Sequence, residues 1–404
     1  MPKTTSRRVR AGRPPPGVAP STVTFYEAFA PLLRGKHVLD AGSGCGLGTR
    51  ILCDYAPHVT GLDHDASALE FAEKYAPNAH FLQTDLCHGS AVDRADAAFL
   101  IDVLGHLAQP EAALRGLRAC LPRGSQLFVA EPKAYTSQRL LAPARCAFSQ
   151  ASLTRLLLRA GFELEEVAAP GKDFVALVAL RSSDPSVAAL VEGFQQAHRR
   201  QFRAARTEFA RASQSRRLDI KLEAVLGEAE ASFAANDGDR AVRCYFEAND
   251  LSESDGRALS GLARVALATG EADDALHLAL NAVQRDPTDA AAHTAMAVAA
   301  ERLSLPDAWN SWRVALSLAP DDIEVATGLA RASAARQNFA FAIHAFERLR
   351  GYDTTLGVQF HVTLAWLLLG DGRKKDAARE ASFAAAIAPD DAAVGALVAA
   401  IAIA

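Results

Sequence analysis

The 404-residue sequence lacks the features that would mark a secreted, metal-binding or membrane protein. Its cysteines are scattered, with no CxxC pair and no matching histidine spacing, so neither a disulfide framework nor a zinc site is indicated. No apolar run approaches the roughly 18 residues that a membrane span requires, and no apolar stretch follows the charged amino-terminal MPKTTSRRVRAGRPPPG. We therefore expect a cytoplasmic chain with reduced thiols. The six cysteines are Cys45, Cys53, Cys87, Cys120, Cys146 and Cys244.

Strong charge of either sign is also missing. The net charge is -4, so no overall basic field would attract a phosphate backbone, and nucleic acid is not expected as a partner. The arginines and three successive prolines of residues 1–19 favour a solvated, disordered arm. With 50% hydrophobic residues, the remaining chain is long enough for two globular cores or more.

The first half of the chain alternates short β-rich runs with amphipathic helical stretches. The strand candidates are HVLDA (37–41), HVTGLD (58–63), AHFLQ (79–83), DAAFLID (96–102) and QLFVAE (126–131). Helical patterns such as 66–76 and 110–121 lie between them. This alternation predicts βαβ units and a mostly parallel, Rossmann-like sheet with helices on both faces. Ligands of such sheets bind at the carboxyl ends of the strands.

A glycine-rich loop follows the first predicted strand, in the sequence VLDAGSGCGLG (38–48). Glycine permits close approach of a ligand because it has no Cβ and tolerates positive φ. A dinucleotide fingerprint GxGxxG would need glycine at position 47, where Leu47 stands, so an NAD or nucleotide-sugar enzyme is disfavoured. The pattern Asp40-x-Gly42-x-Gly44-x-Gly46 resembles the first motif of class I S-adenosylmethionine-dependent methyltransferases.

Further segments extend this resemblance in order along the chain. Asp63 ends the second strand about 20 residues beyond the loop, where a carboxylate binds ribose hydroxyls, although a turn or helix-cap role is an alternative. Asp85 and Leu86 match the segment that contacts adenine in the family. Two later segments, 96–132 and 148–167, are similar to those of the ubiquinone and menaquinone methyltransferases.

The resemblance covers residues 20–181 and implies S-adenosylmethionine as cofactor. It also implies that Asp102, at the end of the fourth predicted strand, belongs to the cofactor site. Tyr26 lies where relatives place an aromatic residue over the methionine moiety, or it is a core residue of a covering helix. The segment around it, with the insertion 133–150, is expected to build the substrate pocket.

Methyl transfer requires alignment, exclusion of water and, for a poor nucleophile, removal of a proton. His106 is the candidate general base because imidazole titrates near neutrality, although a hydrogen-bonded histidine at a helix start is an alternative. Many relatives carry glutamate at the position before this histidine, where Gly105 stands. That departure keeps open a second hypothesis, in which a catalytically idle methyltransferase fold serves as a scaffold.

The second half of the chain repeats itself. After residues 182–221, expected to be an exposed basic linker helix, small residues recur at steps of 34, 33, 34 and 35. These spacings resemble tetratricopeptide repeats, without the full tryptophan and tyrosine consensus, and predict about five helix pairs within 222–404. The recurring residues are Ala241, Ala275, Ala308, Ala342 and Ala377, each with a partner twelve positions earlier at Ala229, Ala263, Met296, Ala330 and Ala365.

Such solenoids bind peptides or protein segments on a concave face. If Arg264, His293 and Arg331 face inward, they can receive an acidic side chain or a carboxylate, whereas unrelated surface arginines are the alternative. The apolar tail AAVGALVAAIAIA is expected to pack back as a cap, or to form a homodimer. The sequence thus predicts a methyltransferase of unknown acceptor, fused to an all-α repeat domain that recruits a protein or presents a substrate.

Overall fold

The computed structural model describes residues 20–88, 94–132, 148–168, 174–319, 322–352 and 357–403. These residues form two compact units, whose boundary lies between Ser183 and Asp184. The arm 1–19 and residues 133–147 of the predicted substrate-pocket insertion lie outside the described residues. No helix in the described ranges is long and apolar enough to cross a membrane.

A seven-stranded sheet forms the centre of the first unit, in the order β3-β2-β1-β4-β5-β7-β6. Strands β1 to β5 run parallel to one another, and β7 is antiparallel to both β5 and β6. The predicted mostly parallel sheet is confirmed, with the switch in strand order between β1 and β4. The strands are β1 His37–Ala41, β2 His58–Asp63, β3 His80–Gln83, β4 Ala97–Ile101, β5 Gln126–Pro132, β6 Phe162–Ala168 and β7 Phe174–Arg181.

The helices of this unit begin at residues suited to helix starts. The Asp65 side chain accepts the amides of Ser67 and Ala68 and caps α3, and Pro110 supplies the preset φ of the first turn of α4. Ser149 and Ser152 form a reciprocal capping box before α5. The helices are α1 Pro20–Phe29, α2 Leu47–Leu52, α3 Ala66–Tyr75, α4 Pro110–Cys120 and α5 Gln150–Arg159.

An aromatic cluster fixes α1 to the sheet. Phe99 of β4 stacks on Phe128 of β5 with ring centroids 4.6 Å apart, and Tyr26 of α1 stacks on Phe99 at 5.3 Å. Phe25 and Phe29 of α1 complete the cluster. Because aromatic pairs combine large apolar burial with a preferred geometry, this cluster holds α1 in one orientation against the strands.

The second unit is helical throughout its described residues. Consecutive helices pack on each other in pairs, and the first helix of one pair also contacts the first helix of the next, as in α8 with α10 and α14 with α16. The helices are α6 Pro185–His198, α7 Phe202–Ala212, α8 Leu218–Ala234, α9 Gly238–Leu251, α10 Arg257–Thr269, α11 Ala272–Arg285, α12 Ala290–Arg302, α13 Ala308–Leu318, α14 Ile323–Ala335, α15 Phe339–Tyr352, α16 Val358–Gly370, α17 Lys374–Ile387 and α18 Ala392–Ile403.

The predicted repeat period coincides with these pairs. The five pairs from α8 to α17 carry the recurring small residues, and all ten aligned positions are buried except Met296, which is partly exposed. Small side chains at these positions let neighbouring helices approach closely. The second unit is therefore a helical repeat region, and its repeat follows the sequence register.

Residues 185–212 form an additional helix pair where the sequence favoured an exposed linker helix. Helices α6 and α7 pack on each other and on α8. Phe209 of α7 is fully buried and lies so close to Gly193 and Gly227 that a Cβ on either would come within 2.6 Å of its ring. In the sequence, the many arginines of this stretch hide the apolar face of α7, which consists of Ala205, Phe209 and Ala212 and is buried in the structure.

The apolar tail forms α18, which packs on α16 and α17. Val394, Leu397 and Ile401 are buried in this contact, while Val398 and Ile403 are exposed. The cap interpretation therefore accounts for one face of the tail.

Glycine–aromatic contacts join successive repeats. A Cβ on Gly261 of α10 would lie 2.2 Å from the Tyr245 ring of α9, and a Cβ on Gly328 of α14 would lie 2.4 Å from the Trp312 ring of α13. Both rings are almost fully buried. The absence of a side chain in one helix thus makes room for the ring of the preceding pair.

We predict that Gly261→Ala lowers the urea midpoint of the second unit, because the new methyl would overlap Tyr245 and overpacking costs about 1–3 kcal/mol. Gly395→Ala in α18 is the matched control, since nothing lies within 4 Å of its Cβ position and alanine favours a helix by about 1 kcal/mol. Tryptophan fluorescence measures the transition, because Trp309, Trp312 and Trp366 all belong to this unit. Equal midpoints for the two variants would contradict the packing account.

Candidate functional site

The loop between β1 and α2 has positive φ at all three alternating glycines, with φ of 81° at Gly42, 50° at Gly44 and 81° at Gly46. A Cβ on Gly42 would lie 2.3 Å from the Val103 side chain, and one on Gly46 would lie 2.8 Å from Cβ of Ala72. Nothing lies within 4 Å of the corresponding position at Gly44. Two of the glycines therefore permit packing, whereas Gly44 presents an open stretch of backbone.

The loop is tied to the end of the neighbouring strand β2. The amides of Gly42 and Ser43 both donate to the Leu62 carbonyl, at 2.7 and 2.9 Å. The Gly44 amide donates to Oδ2 of Asp63 at 2.7 Å, and the other oxygen of this carboxylate accepts the Asp65 amide at 3.0 Å. Asp63 thus lies beside the open backbone of Gly44.

Asp40 is fully buried beneath the loop, and its carboxylate accepts two short hydrogen bonds. The Tyr26 hydroxyl donates to Oδ1 and the Thr49 hydroxyl donates to Oδ2, each at 2.6 Å. Burial raises the pKa of Asp40, while these two hydroxyls act against the rise. This arrangement joins α1, β1 and α2 through one side chain.

Tyr26 is buried beside Asp40, to which its hydroxyl donates. A Cβ on Gly48 would lie 2.2 Å from the Tyr26 ring, so the first turn of α2 packs directly on the tyrosine. The Tyr26 side chain thus packs in the core, with its hydroxyl engaged with Asp40 and its ring with Phe99 and Gly48.

Asp85 caps a short 3-10 turn, Leu86–His88, that follows β3. Its carboxylate accepts the Cys87 amide at 2.8 Å and lies 2.8 Å from Nδ1 of His88. The Cys87 amide is the largest of the influences that lower the pKa of Asp85, so the group is ionised at neutral pH. The side chain is half-exposed, while Leu86 is buried.

Asp102 and His106 lie at the end of β4. Asp102 has a φ of 59°, a left-handed conformation that aspartate tolerates better than most residues, and its amide donates to the Ala130 carbonyl at 2.8 Å. His106 belongs to a 3-10 turn, Leu104–His106, with Nε2 3.7 Å from Oδ1 of Asp102. Both side chains are partly exposed.

A carboxylate to which sequence reasoning gave no role, Glu131 at the end of β5, holds this turn. It is fully buried, and it accepts the amides of Val103 at 2.9 Å, Leu104 at 2.7 Å and Gly105 at 3.2 Å. Burial, with the negative charge of Asp102, raises the pKa of Glu131 to about 7 against the opposing effect of the three amides. A charged residue closing the apolar run QLFVAE was the available signal.

Gly105 thus belongs to a turn that a neighbouring carboxylate organises. Its amide donates to Oε2 of Glu131, and the residue is buried. Gly105, which stands where many relatives carry glutamate, is therefore part of an ordered turn at the carboxyl edge of the sheet.

The carboxyl edge offers a specific set of polar groups. The backbone of Gly44 is open on one side, and Asp63 and Asp85 follow neighbouring strands. The Ser43 hydroxyl is buried against Gly61 of β2 and has no hydrogen-bond partner among the described residues. Open backbone beside two carboxylates suits a ligand that carries hydrogen-bond donors, such as sugar hydroxyls and amines.

In the repeat region, both arginines proposed for partner binding have internal carboxylate partners. Arg264 donates to Glu230 at 2.9 and 3.0 Å, and Arg331 donates to Glu301 at 3.2 Å. Each of these glutamates also accepts a hydrogen bond from an aromatic residue of the helix that follows it, Tyr245 at 2.8 Å and Trp312 at 2.9 Å, respectively.

These contacts show the surroundings of the three residues. Each arginine pairs with a glutamate in a repeated network, and binding of a partner's carboxylate by these arginines stays a prediction. His293 is buried and donates through Nε2 to the Pro287 carbonyl, so it belongs to a different environment from the arginines. The structure gives each of the three its own separate partners.

We predict that Glu131 makes the stability of the first unit depend on pH. Its folded pKa of about 7 exceeds the ordinary value of 4.5, so the native state binds a proton that the unfolded state releases. The stabilisation is fully present below pH 4.5 and is lost as pH rises through about 7, by up to about 1.4 kcal/mol per pH unit.

Glu131→Gln removes the titration but retains an acceptor oxygen for Val103 and Leu104. The free energy of unfolding of each protein is obtained from urea-dependent hydrogen exchange of peptides covering β4 and β5, and the difference at each pH cancels intrinsic exchange rates. The wild type should lose stability relative to this variant between pH 4.5 and 7.5. Parallel curves over this range would show that Glu131 does not titrate as described.

Residues 21–167 match a family model described as a methyltransferase domain. A ubiquinone biosynthesis O-methyltransferase of Coxiella burnetii is 29% identical over 101 residues, which are 24% of this chain and 43% of that protein. A probable S-adenosylmethionine-dependent methyltransferase of Mycolicibacterium smegmatis is 27% identical over 172 residues, covering 37% of this chain and 63% of that protein. The chain therefore spans less than two thirds of either relative.

Among solved structures, the chain is similar to the APC/C hetero-tetramer Cut9-Hcn1, with a TM-score of 0.44 and 18% identity over 54% of this chain and 42% of that one. The helix pairing described above is independent of that similarity. Residues 21–167 thus match a methyltransferase domain, and a helical repeat region follows them.

Proposed function

We propose that this chain is an S-adenosylmethionine-dependent methyltransferase whose repeat region recruits a protein partner or presents the substrate. The open backbone of Gly44 beside Asp63 is the observation that carries the proposal. This glycine loop packs against the protein at Gly42 and Gly46 and is uncovered at Gly44. Such a loop has the form expected of a surface on which a cofactor lies.

The residues at the carboxyl edge fit this cofactor. Asp63 is proposed to bind the ribose hydroxyls, since a carboxylate suits a vicinal diol. Asp85 and the Leu86 amide are proposed to hold the adenine. The open backbone at Gly44, whose amide donates to Asp63, leaves room for the cofactor beside this carboxylate. When bound, the cofactor supplies an electrophilic methyl group on a sulfonium.

Tyr26 and Asp40 are proposed to position the loop without touching the cofactor. Their mutual hydrogen bond and their burial leave their polar atoms already engaged. The order that they impose on the loop matters, because alignment contributes most of what methyl transfer requires of a protein.

His106 is proposed as the general base for an acceptor that must lose a proton. The ring is partly exposed at the carboxyl edge, and the Asp102 carboxylate 3.7 Å away would stabilise the protonated ring. The Glu131 hydrogen bonds hold the turn that carries this histidine. An ordered turn with a histidine supports an active enzyme over the scaffold hypothesis that Gly105 raised.

The repeat region is proposed to be of the tetratricopeptide type, with a protein or peptide as its partner. The support is the helix-pair architecture and the period of its buried small residues. We further propose a cytoplasmic location. The described residues do not identify the methyl acceptor.

We predict that Gly44→Ala abolishes calorimetric binding of S-adenosylmethionine and S-adenosylhomocysteine, or weakens it at least tenfold. The methyl group would enter the open face of the loop where the cofactor is proposed to lie. Gly35→Ala is the matched control, because Gly35 also has positive φ and nothing within 4 Å of its Cβ position, but it lies in the turn before β1.

The control separates cofactor exclusion from backbone strain, which costs about 1–2 kcal/mol for either substitution. Gly35→Ala should bind both ligands with wild-type affinity, and Asp63→Ala should weaken them through loss of the ribose contact. Equal binding by Gly44→Ala and the wild type, or no binding by the wild type at millimolar ligand, would overturn the cofactor assignment.

A further inference from the structure

Four arginines gather at the amino edge of the sheet in the first unit, the edge opposite the glycine loop. Arg94 precedes β4, Arg118 belongs to the last turn of α4, and Arg123 lies in the turn before β5. Because β7 is antiparallel to β5, its final residue Arg181 reaches the same edge. We call these four residues the arginine cluster, and its properties do not depend on the proposed methyltransferase activity.

Hydrogen bonds bring together the segments that carry the cluster. The amide that follows Arg94 donates to the carbonyl of Cys120, the last residue of α4, at 3.1 Å. The amide that follows Arg123 donates to the Arg181 carbonyl at 3.0 Å. The Arg181 side chain donates through Nη1 to the Leu121 carbonyl. The cluster is therefore arranged around the turn that joins α4 to β5.

Arg118 packs its stem on a glycine and leaves its terminal nitrogens available. A Cβ on Gly161 would lie 2.4 Å from Nε and 2.8 Å from Cδ of Arg118, so the side chain crosses the bare backbone of this residue. Nε of Arg118 is buried without a hydrogen-bond partner among the described residues. Nη1 and Nη2 also lack a partner there but are not buried, so they face solvent.

Within the described ranges, no carboxylate forms an ion pair with any member of the cluster. Two acids of the same edge have other partners. Asp96 accepts the His37 amide at 2.9 Å, and Glu163 accepts the Ser182 hydroxyl. The positive charges of the cluster are therefore not neutralised by the described part of the chain.

The charges of the cluster repel one another. Burial, with the positive charges of Arg181 and Arg123, lowers the pKa of Arg118. Burial, with the charges of Arg123 and Arg94, lowers the pKa of Arg181 in the same way. Because guanidinium groups stay charged in proteins, loss of a proton does not relieve this repulsion. An anion held among the arginines would offset it.

We propose that the arginine cluster binds a compact anion that carries a phosphate group. Guanidinium groups form paired hydrogen bonds to phosphate oxygens, and a phosphate presents oxygens in several directions to side chains that arrive from different segments. A carboxylate has two oxygens in one plane and serves fewer of them. The phosphate belongs either to a free small molecule or to a nucleic-acid backbone, and the experiment separates these sources.

The experiment titrates inorganic pyrophosphate into the full chain by calorimetry, with citrate, a tricarboxylate of similar charge, as the control for non-specific attraction. Pyrophosphate should bind at least tenfold more tightly than citrate at physiological ionic strength, where long-range attraction is screened. Its affinity should be unchanged by saturating S-adenosylhomocysteine, which separates the cluster from the glycine loop. Tighter binding of a short oligothymidylate than of pyrophosphate assigns the phosphate to nucleic acid, and weaker binding assigns it to a free molecule.

Three variants test the residues. Arg118→Gln and Arg123→Gln should each weaken pyrophosphate binding at least fivefold. Arg115→Gln is the matched control, because it removes the same charge from the same helix as Arg118, but Arg115 pairs with Glu111 and lies outside the cluster. It should bind pyrophosphate as the wild type does. Since Arg123→Gln removes one repelling charge, it should also raise the thermal midpoint of the ligand-free protein.

Equal affinities of pyrophosphate and citrate for the wild type would overturn the proposal, as would the absence of pyrophosphate binding at millimolar concentration. It would also fail if Arg123→Gln bound pyrophosphate as tightly as the wild type, or if Arg115→Gln weakened binding as much as Arg123→Gln. Should Arg118→Gln not fold, the exposed Arg123 and its control still decide the question.

Discussion

The first unit depends on one buried carboxylate, Asp40, and on the two hydroxyls that satisfy it. An isolated carboxylate beneath a sheet edge would be protonated or excluded, because burial penalises its charged form. Tyr26 and Thr49 offset that penalty with 2.6 Å hydrogen bonds, and in doing so they fix α1 and α2 relative to β1. These hydrogen bonds to Asp40 therefore fix the position of the glycine loop between β1 and α2.

Carboxylates then organise each successive segment of the carboxyl edge. Asp63 holds the Gly44 amide, Asp85 caps the turn after β3, and Glu131 collects three amides of the turn after β4. Burial, with the negative charge of the neighbouring Asp102, raises the pKa of Glu131. An edge built from carboxylates favours a ligand that brings a cationic group, and a sulfonium cofactor fits that requirement.

The local sequence pattern predicted the strands, whereas the side-chain contacts of the site join residues that are distant in the sequence. The strand candidates agree with β1–β5 to within one residue at every end, because hydrophobic runs and glycine turns are local signals. Glu131 escaped notice because its partners lie 26 to 28 residues away. The pairing of Arg264 with Glu230 could not be predicted for the same reason, since the two residues are 34 positions apart. The contacts of Tyr26 with Asp40 and Gly48 also join residues that are distant in the sequence.

The central claim is that the loop of Gly42, Gly44 and Gly46 is the surface on which the cofactor lies. Hydrogen–deuterium exchange of the full chain with and without saturating S-adenosylhomocysteine tests it directly. The account predicts slower exchange in peptides covering residues 42–48, 63–66 and 85–88, with unchanged exchange in the repeat helices. Protection confined to other segments, with unchanged exchange in the glycine loop, would contradict it.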